Sequence, residues 1–248
     1  GNAWFMGLEY PAGYNDVREA DGTRTVILHH YPGRETGAGL ASKTAMLGVT
    51  PAGLTRELAF SDYLDSVRVQ TRDFLQYNSW YDLRSQDLTI PNLLHIYEQF
   101  QTHLLGPYGL KMAAFVPDDG WQDRDSIWQP VRERYPEGFR PLAEGLEAQG
   151  SHLGLWMPLN GTNLNVEWGR AQGLEVANRG KFYCLAAPKY NAEIRRVSAE
   201  RIRDGRLAYY KHDFNGLRCS APGHGHLPTD RHGHEASLDA EIELLAWE

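Results

Sequence analysis

The sequence predicts an α/β fold in two parts, a β-rich segment over residues 1–72 and consecutive strand–helix units over 73–248. Two observations carry this expectation. Up to residue 72, glycine and proline interrupt short strand-like runs every few residues. Beyond it, continuous apolar runs alternate with stretches of helical period. Such alternation needs a parallel sheet with helical crossovers, and strands buried on both faces should be apolar throughout.

In the first part, Thr25-Val26-Ile27-Leu28 reads as a strand bounded by Asp21-Gly22 and Pro32-Gly33, and Ala45-Met46-Leu47-Gly48-Val49 as another. Leu54, Leu58, Leu64 and Val67 roughly fit one face of a short helix. In the second part the strands are Phe74–Asn78, Met112–Val116, His152–Trp156 and Leu207–Tyr210. Thr89 caps a helix that buries Leu93, Leu94, Ile96, Tyr97, Phe100 and Leu104. Residues 139–149 form a second helix, ended by Gly150. Asn191 opens a third through Ile194, Val197 and Ile202, ending at Gly205. Leu238, Ile242 and Leu245 mark a last one, which is cut at Glu248.

Bulk properties narrow the function. A hydrophobic fraction of 42% and a charged fraction of 23% describe an ordinary globular chain of 248 residues. The net charge of -7 disfavours a nucleic acid partner. No apolar run is long enough for a membrane helix. No glycine-rich phosphate loop follows any strand, so nucleotide folds lose support. The two cysteines, Cys184 and Cys219, allow one bridge and define no framework.

Polar residues gather after each strand of the second part: Asn78-Ser79-Trp80-Tyr81-Asp82, Asp118-Asp119-Gly120-Trp121, Trp156 through Gly161, and Lys211-His212-Asp213-Phe214-Asn215. In a β/α barrel these positions share the rim that carries the active site. Asp118 and Asp119 admit two readings, a turn or a pair of carboxylates that accept hydrogen bonds from sugar hydroxyls. Asp213 admits two as well. It is either half of a structural Lys–Asp pair or an ionised nucleophile kept charged by a neighbouring cation.

Three of these motifs resemble the α-galactosidase (melibiase) clan of glycoside hydrolases, in particular the branch with a β-sandwich before a (β/α)8 TIM barrel. Val116-Pro117-Asp118-Asp119-Gly120-Trp121 resembles the clan's second-strand motif, Leu153-Gly154-Leu155-Trp156 its third, and Tyr209 through Asn215 its fourth. The resemblance implies Asp213 as catalytic nucleophile, with Asp118, Asp119, Trp121, Trp156, Trp80, Lys211 and Asn215 around an oligosaccharide or glycoside substrate. No cofactor is implied. Two departures bear on the substrate: His212 stands where the clan usually has Trp, and Pro158-Leu159-Asn160 where a Glu-Pro-Glu-like run is usual.

The expectation is therefore a retaining hydrolase of α-galactosides, a glycosidase of carbohydrate metabolism. Alternatives are a raffinose-synthase-type transglycosylase or a non-catalytic carbohydrate-binding protein on the same fold. The 1–72 segment would end a β-sandwich, and 73–248 would supply about four of the eight units of a barrel. The resemblance puts the general acid on a later strand, so this stretch is expected to be a fragment inactive by itself. Finally, residues 218–235 hold Cys219, His224, His226, His232 and His234. Paired histidines could supply imidazole ligands to zinc. The Gly- and Pro-rich setting predicts no helix to fix them, so the expectation is a substrate-facing loop without metal.

Overall fold

All residues of Ala114–Val116 and Leu153–Trp156 are buried, as strands covered on both faces should be. They form the centre of a four-stranded parallel sheet in the computed structural model, which describes residues 3–32, 39 and 41–248. The chain divides into two units, Gly1–Arg72 and Asp73–Glu248, and each is described by itself.

In the first unit, β1 (Trp4–Leu8) pairs antiparallel with β4 (Ala45–Val49), and β2 (Tyr14–Ala20) with β3 (Thr23–His29). The expected runs are β3 and β4; β1 and β2 were not anticipated. Gly33, expected to bound β3, lies outside the described residues. Helix α1 (Arg56–Val67) starts where the Thr55 hydroxyl accepts from the Leu58 amide. Its apolar face is not the buried one. Leu58, Leu64 and Val67 are exposed, and Ala59 is its buried residue.

The second unit lays its strands down in chain order: β5 (Gln76–Asn78), β6 (Ala114–Val116), β9 (Leu153–Trp156) and β10 (Leu207–Lys211). The register pairs Asn78 with Val116 and Trp156 with Lys211, so the carboxyl ends of neighbouring strands lie side by side. Between β6 and β9 a small hairpin joins β7 (Gln122–Asp123) to β8 (Gln129–Pro130).

Helices cross between these strands. The Thr89 hydroxyl accepts from Asn92 N at the start of α2 (Ile90–Phe100). A π turn, Gln101–Leu105, then leads into α3 (Gly106–Tyr108). That turn adds a residue to the buried spacing, so Leu105 is buried where Leu104 was expected. Helix α4 (Arg140–Glu147) buries Leu142, Ala143 and Leu146. A short α5 (Val166–Ala171) follows β9. Helix α6 (Pro188–Asp204) begins three residues before Asn191, with Pro188 in the first turn where its missing N–H costs nothing. Helix α7 (Asp230–Trp247) closes the described chain.

Aromatic residues fill the core beside the sheet. Trp121, Trp128 and Trp156 are fully buried, with successive ring centroids 5.7 Å apart. Truncating any of them to alanine should cost about 3–5 kcal/mol. This packing anchors the strand ends that carry the polar residues.

Candidate active site

The carboxyl ends of β6, β9 and β10 bring the expected Asp118, Trp156, Lys211 and Asp213 together, and β5 adds Asn78, in one cluster of hydrogen bonds and ion pairs. Asp118, just past β6, is its centre and is almost fully buried. Its Oδ2 accepts from Asn78 Nδ2 at 2.6 Å and from Lys211 Nζ at 2.9 Å. Its Oδ1 accepts from the Asp119 amide at 2.8 Å. Asp118 N in turn donates to the Ser79 hydroxyl at 2.9 Å. A buried carboxylate needs such donors, because leaving it unpaired would cost several kcal/mol.

Lys211 ends β10 and also lies 3.9 Å from Asp213 Oδ2. Trp156 Nε1 points at the same oxygen from 3.4 Å. The other oxygen, Oδ1, accepts from the Phe214 amide at 2.8 Å. Phe214 adopts φ 52°, a left-handed conformation unusual for a bulky residue. Residues held in sparsely populated backbone conformations cluster at functional sites. The Asp213 side chain is 34% exposed, so solvent reaches the carboxylate that these donors orient. One ammonium thus faces two carboxylates and offsets their repulsion.

Asp119 turns elsewhere. Its Oδ1 accepts from Gln122 Nε2 at 2.6 Å, and its Oδ2 lies 3.8 Å from Arg124. Gly120 follows with φ 114°, and a Cβ there would collide with Ser85. The Asp-Asp-Gly run is therefore a genuine tight turn as well as a source of carboxylates.

Other expected residues sit differently. Trp121 is buried in the aromatic core, its indole N–H donating to the Trp156 carbonyl at 2.9 Å, so it offers no open face to a sugar. Trp156 is buried too and reaches the cluster through its N–H edge alone. Asn215 has both ends of its amide engaged: Oδ1 accepts from Leu159 N at 3.1 Å, and Nδ2 donates to Glu241. Trp80 is 43% exposed, with the Arg84 guanidinium 5.1 Å from its ring centre. His212 pairs with the Met157 carbonyl through Nδ1 at 2.7 Å and with Glu248 through Nε2 at 2.9 Å. The sequence reading missed Ser79, Gln122 and Arg124 as partners of the aspartates, and it left Asn78 unassigned although its position after a strand was visible. It missed Glu241 because that residue comes from α7, 26 positions beyond Asn215.

The histidine segment is not one loop. Thr229 caps α7 by accepting from His232 N, so His232 and His234 lie on a helix. His224 and His226 instead meet Cys184 and Cys219, and the four ligand atoms all lie within 4.8 Å of one another. The proximity of the two thiols holds Cys219 below the usual thiol range and, together with burial, pushes Cys184 above it.

Neither a protein-family model nor any curated protein matches the sequence. Its fold is that of known structures. The chain aligns over 99% of its length with an alpha-galactosidase from Lactobacillus brevis, at 19% identity and a TM-score of 0.65. It aligns over 98% with TtGalA, an alpha-galactosidase from Thermus thermophilus bound to p-nitrophenyl α-D-galactopyranoside, at 18% identity and a TM-score of 0.62. It aligns over 100% with a variant of the GH36 alpha-galactosidase AgaA from Geobacillus stearothermophilus in complex with raffinose, at 15% identity and a TM-score of 0.65. The chain spans 37%, 47% and 38% of those proteins, respectively. The α/β fold with its parallel sheet is thus shared with glycoside hydrolases of this group.

Proposed function

We propose that this chain carries the nucleophile side of a retaining glycosidase site for α-galactoside-like substrates, on a sheet that forms part of a (β/α)8 barrel. The observation that supports this best is the placement of Lys211 Nζ, 2.9 Å from Asp118 and 3.9 Å from Asp213 at the carboxyl ends of β6 and β10. A nucleophilic carboxylate must be ionised, oriented and reachable. The surroundings of Asp213 support this role: Lys211 faces it, Trp156 and Phe214 hold its two oxygens, and a third of its side chain is open.

In this reading an Asp213 oxygen bonds to the anomeric carbon while the glycosidic C–O bond breaks. The departing oxygen takes its electron pair and a proton from a carboxylic acid. Water then attacks the glycosyl-enzyme, assisted by the same group as base, and Asp213 is released. The acid is not assigned among the residues of this cluster. Asp118 positions Lys211, with Asn78 as its second partner, while Lys211, Asp119 and Trp80 supply the contacts to sugar. The aryl α-galactoside and raffinose bound by the structural neighbours support this choice of substrate class. The chemistry requires no cofactor.

The test is Asp213→Asn in the full-length protein, assayed on an aryl α-galactoside with the anomer of the first-formed product followed by NMR. The expected result is a loss of at least about 10⁴-fold in kcat for the variant and retention of configuration for the parent. Near-normal turnover by the variant, or inversion by the parent, would refute the assignment.

A further inference from the structure

We infer that Cys184, Cys219, His224 and His226 form a structural metal site of the tetrahedral zinc type. Their ligand atoms come from separate stretches of chain. Cys184 lies just before α6, where its amide bonds to Glu175 O at 2.9 Å and its carbonyl accepts from Ala187 N at 3.0 Å. Cys219 lies in the irregular segment after β10, beside Ser220, whose amide donates to Asn178 Oδ1 at 2.8 Å. His224 and His226 follow in the same segment. Neither cysteine is in a disulfide, and both are buried.

The spacing fits a shared ion. Cys184 Sγ is 3.5 Å from His226 Nε2, and Cys219 Sγ is 3.4 Å from His224 Nδ1. Around tetrahedral zinc, with Zn–S about 2.3 Å and Zn–N about 2.0–2.1 Å, a sulfur and a nitrogen stand about 3.6 Å apart. Without an ion these groups would have to satisfy one another, and thiols are weak donors and weak acceptors. Two thiolates would neutralise a divalent charge in the small apolar shell of Ala177 and Ala187.

The surroundings are arranged as metal sites require. His226 Nδ1 lies 2.8 Å from the Leu227 carbonyl, which fixes the proton on Nδ1 and leaves Nε2 as a ligand. The first turn of α7 packs on the site at Gly233, where a Cβ would collide with the Cys219 carbonyl and sit 2.9 Å from the His226 ring. The donor set of two sulfurs and two imidazoles favours zinc over magnesium or calcium. All four positions are protein ligands, so the site is closed and structural. It would tie the segment that leaves Asp213 to the stretch preceding α6.

The experiment uses the full-length protein purified without chelator. Elemental analysis should find one zinc per chain. After the zinc is stripped, titration with Co²⁺ should give tetrahedral cobalt absorption with a thiolate charge-transfer band. Both signals should be lost in Cys219→Ser and His224→Ala and kept in His232→Ala, whose ring lies on α7. If those variants fail to fold, the parent's zinc content and cobalt spectrum decide the matter alone. Parent protein that binds neither metal, a Cys184–Cys219 disulfide in the native protein, or an unchanged cobalt spectrum in folded Cys219→Ser would overturn the inference.

Discussion

Lys211 and Asp118 lie 93 positions apart in the chain and meet at 2.9 Å, on the ends of strands that are not sheet neighbours. The lysine reaches across the end of β9, where the Trp156 indole points at Asp213. One ion pair thereby links the carboxylate that is buried to the carboxylate that is open.

That link should be measurable as coupling. Lys211→Met and Asp118→Asn should each destabilise the protein, and a double-mutant cycle should give an interaction of about 1–3 kcal/mol. Chemical denaturation of the four proteins supplies the values. Strict additivity would mean that the pair contributes nothing despite its geometry.

Trp156→Phe keeps most of the ring in the core but removes the N–H that faces Asp213. At 3.4 Å the bond is long, so its loss should lower kcat about five- to tenfold, equivalent to roughly 1–1.5 kcal/mol, and leave KM nearly unchanged. Steady-state kinetics on an aryl α-galactoside would show this, and a pure KM effect would contradict the orienting role.

Trp80 is 43% exposed, with Arg84 against its ring, and in the proposed reading it contacts the sugar. Trp80→Ala should raise KM about tenfold with kcat little changed, because uniform binding is what a stacking platform provides. Its melting temperature should hardly move, as surface substitutions mostly change stability by less than about 0.5 kcal/mol.

Glu241 gives a pH prediction. Burial raises its carboxyl above the ordinary 4.5, outweighing the Asn215 donor and the nearby His212, which both lower it. A carboxyl whose folded value is raised destabilises the fold when ionised, and this penalty disappears as pH falls through the folded value to below the unfolded one. Glu241→Gln should therefore raise the melting temperature at pH 7, and the gain should vanish below about pH 4. A gain that grew on acidification would contradict the sign.

Much of the second unit was legible because a parallel strand buried on both faces leaves an unbroken apolar run, as in β6 and β9. The polar residues after those runs were legible for the same reason, since a sheet's carboxyl ends are defined once its strands are. Side-chain direction was not. Trp121 adjoins the aspartates in sequence but turns inward, because its indole N–H finds the Trp156 carbonyl. Leu104 yields its place to Leu105 at a π turn that no periodic pattern announces. The exposed apolar positions of α1 show that helical period alone does not say what a face meets. The histidine segment misled most: a Gly-rich stretch read as loop contains the start of α7, and Cys184, which completes the cluster, is 35 residues from Cys219 (219 − 184).

The sheet order, β5-β6-β9-β10, has a consequence for synthesis. A sheet whose spatial order repeats its chain order can be laid down strand by strand as the polypeptide leaves the ribosome, with each arrival docking on the one just made. Asn78 can meet Asp118 long before Lys211 has been translated. The cation comes after its partners, so in the nascent chain Asp118 at first has only uncharged donors, and docking of β10 both adds the fourth strand and supplies the missing counter-charge.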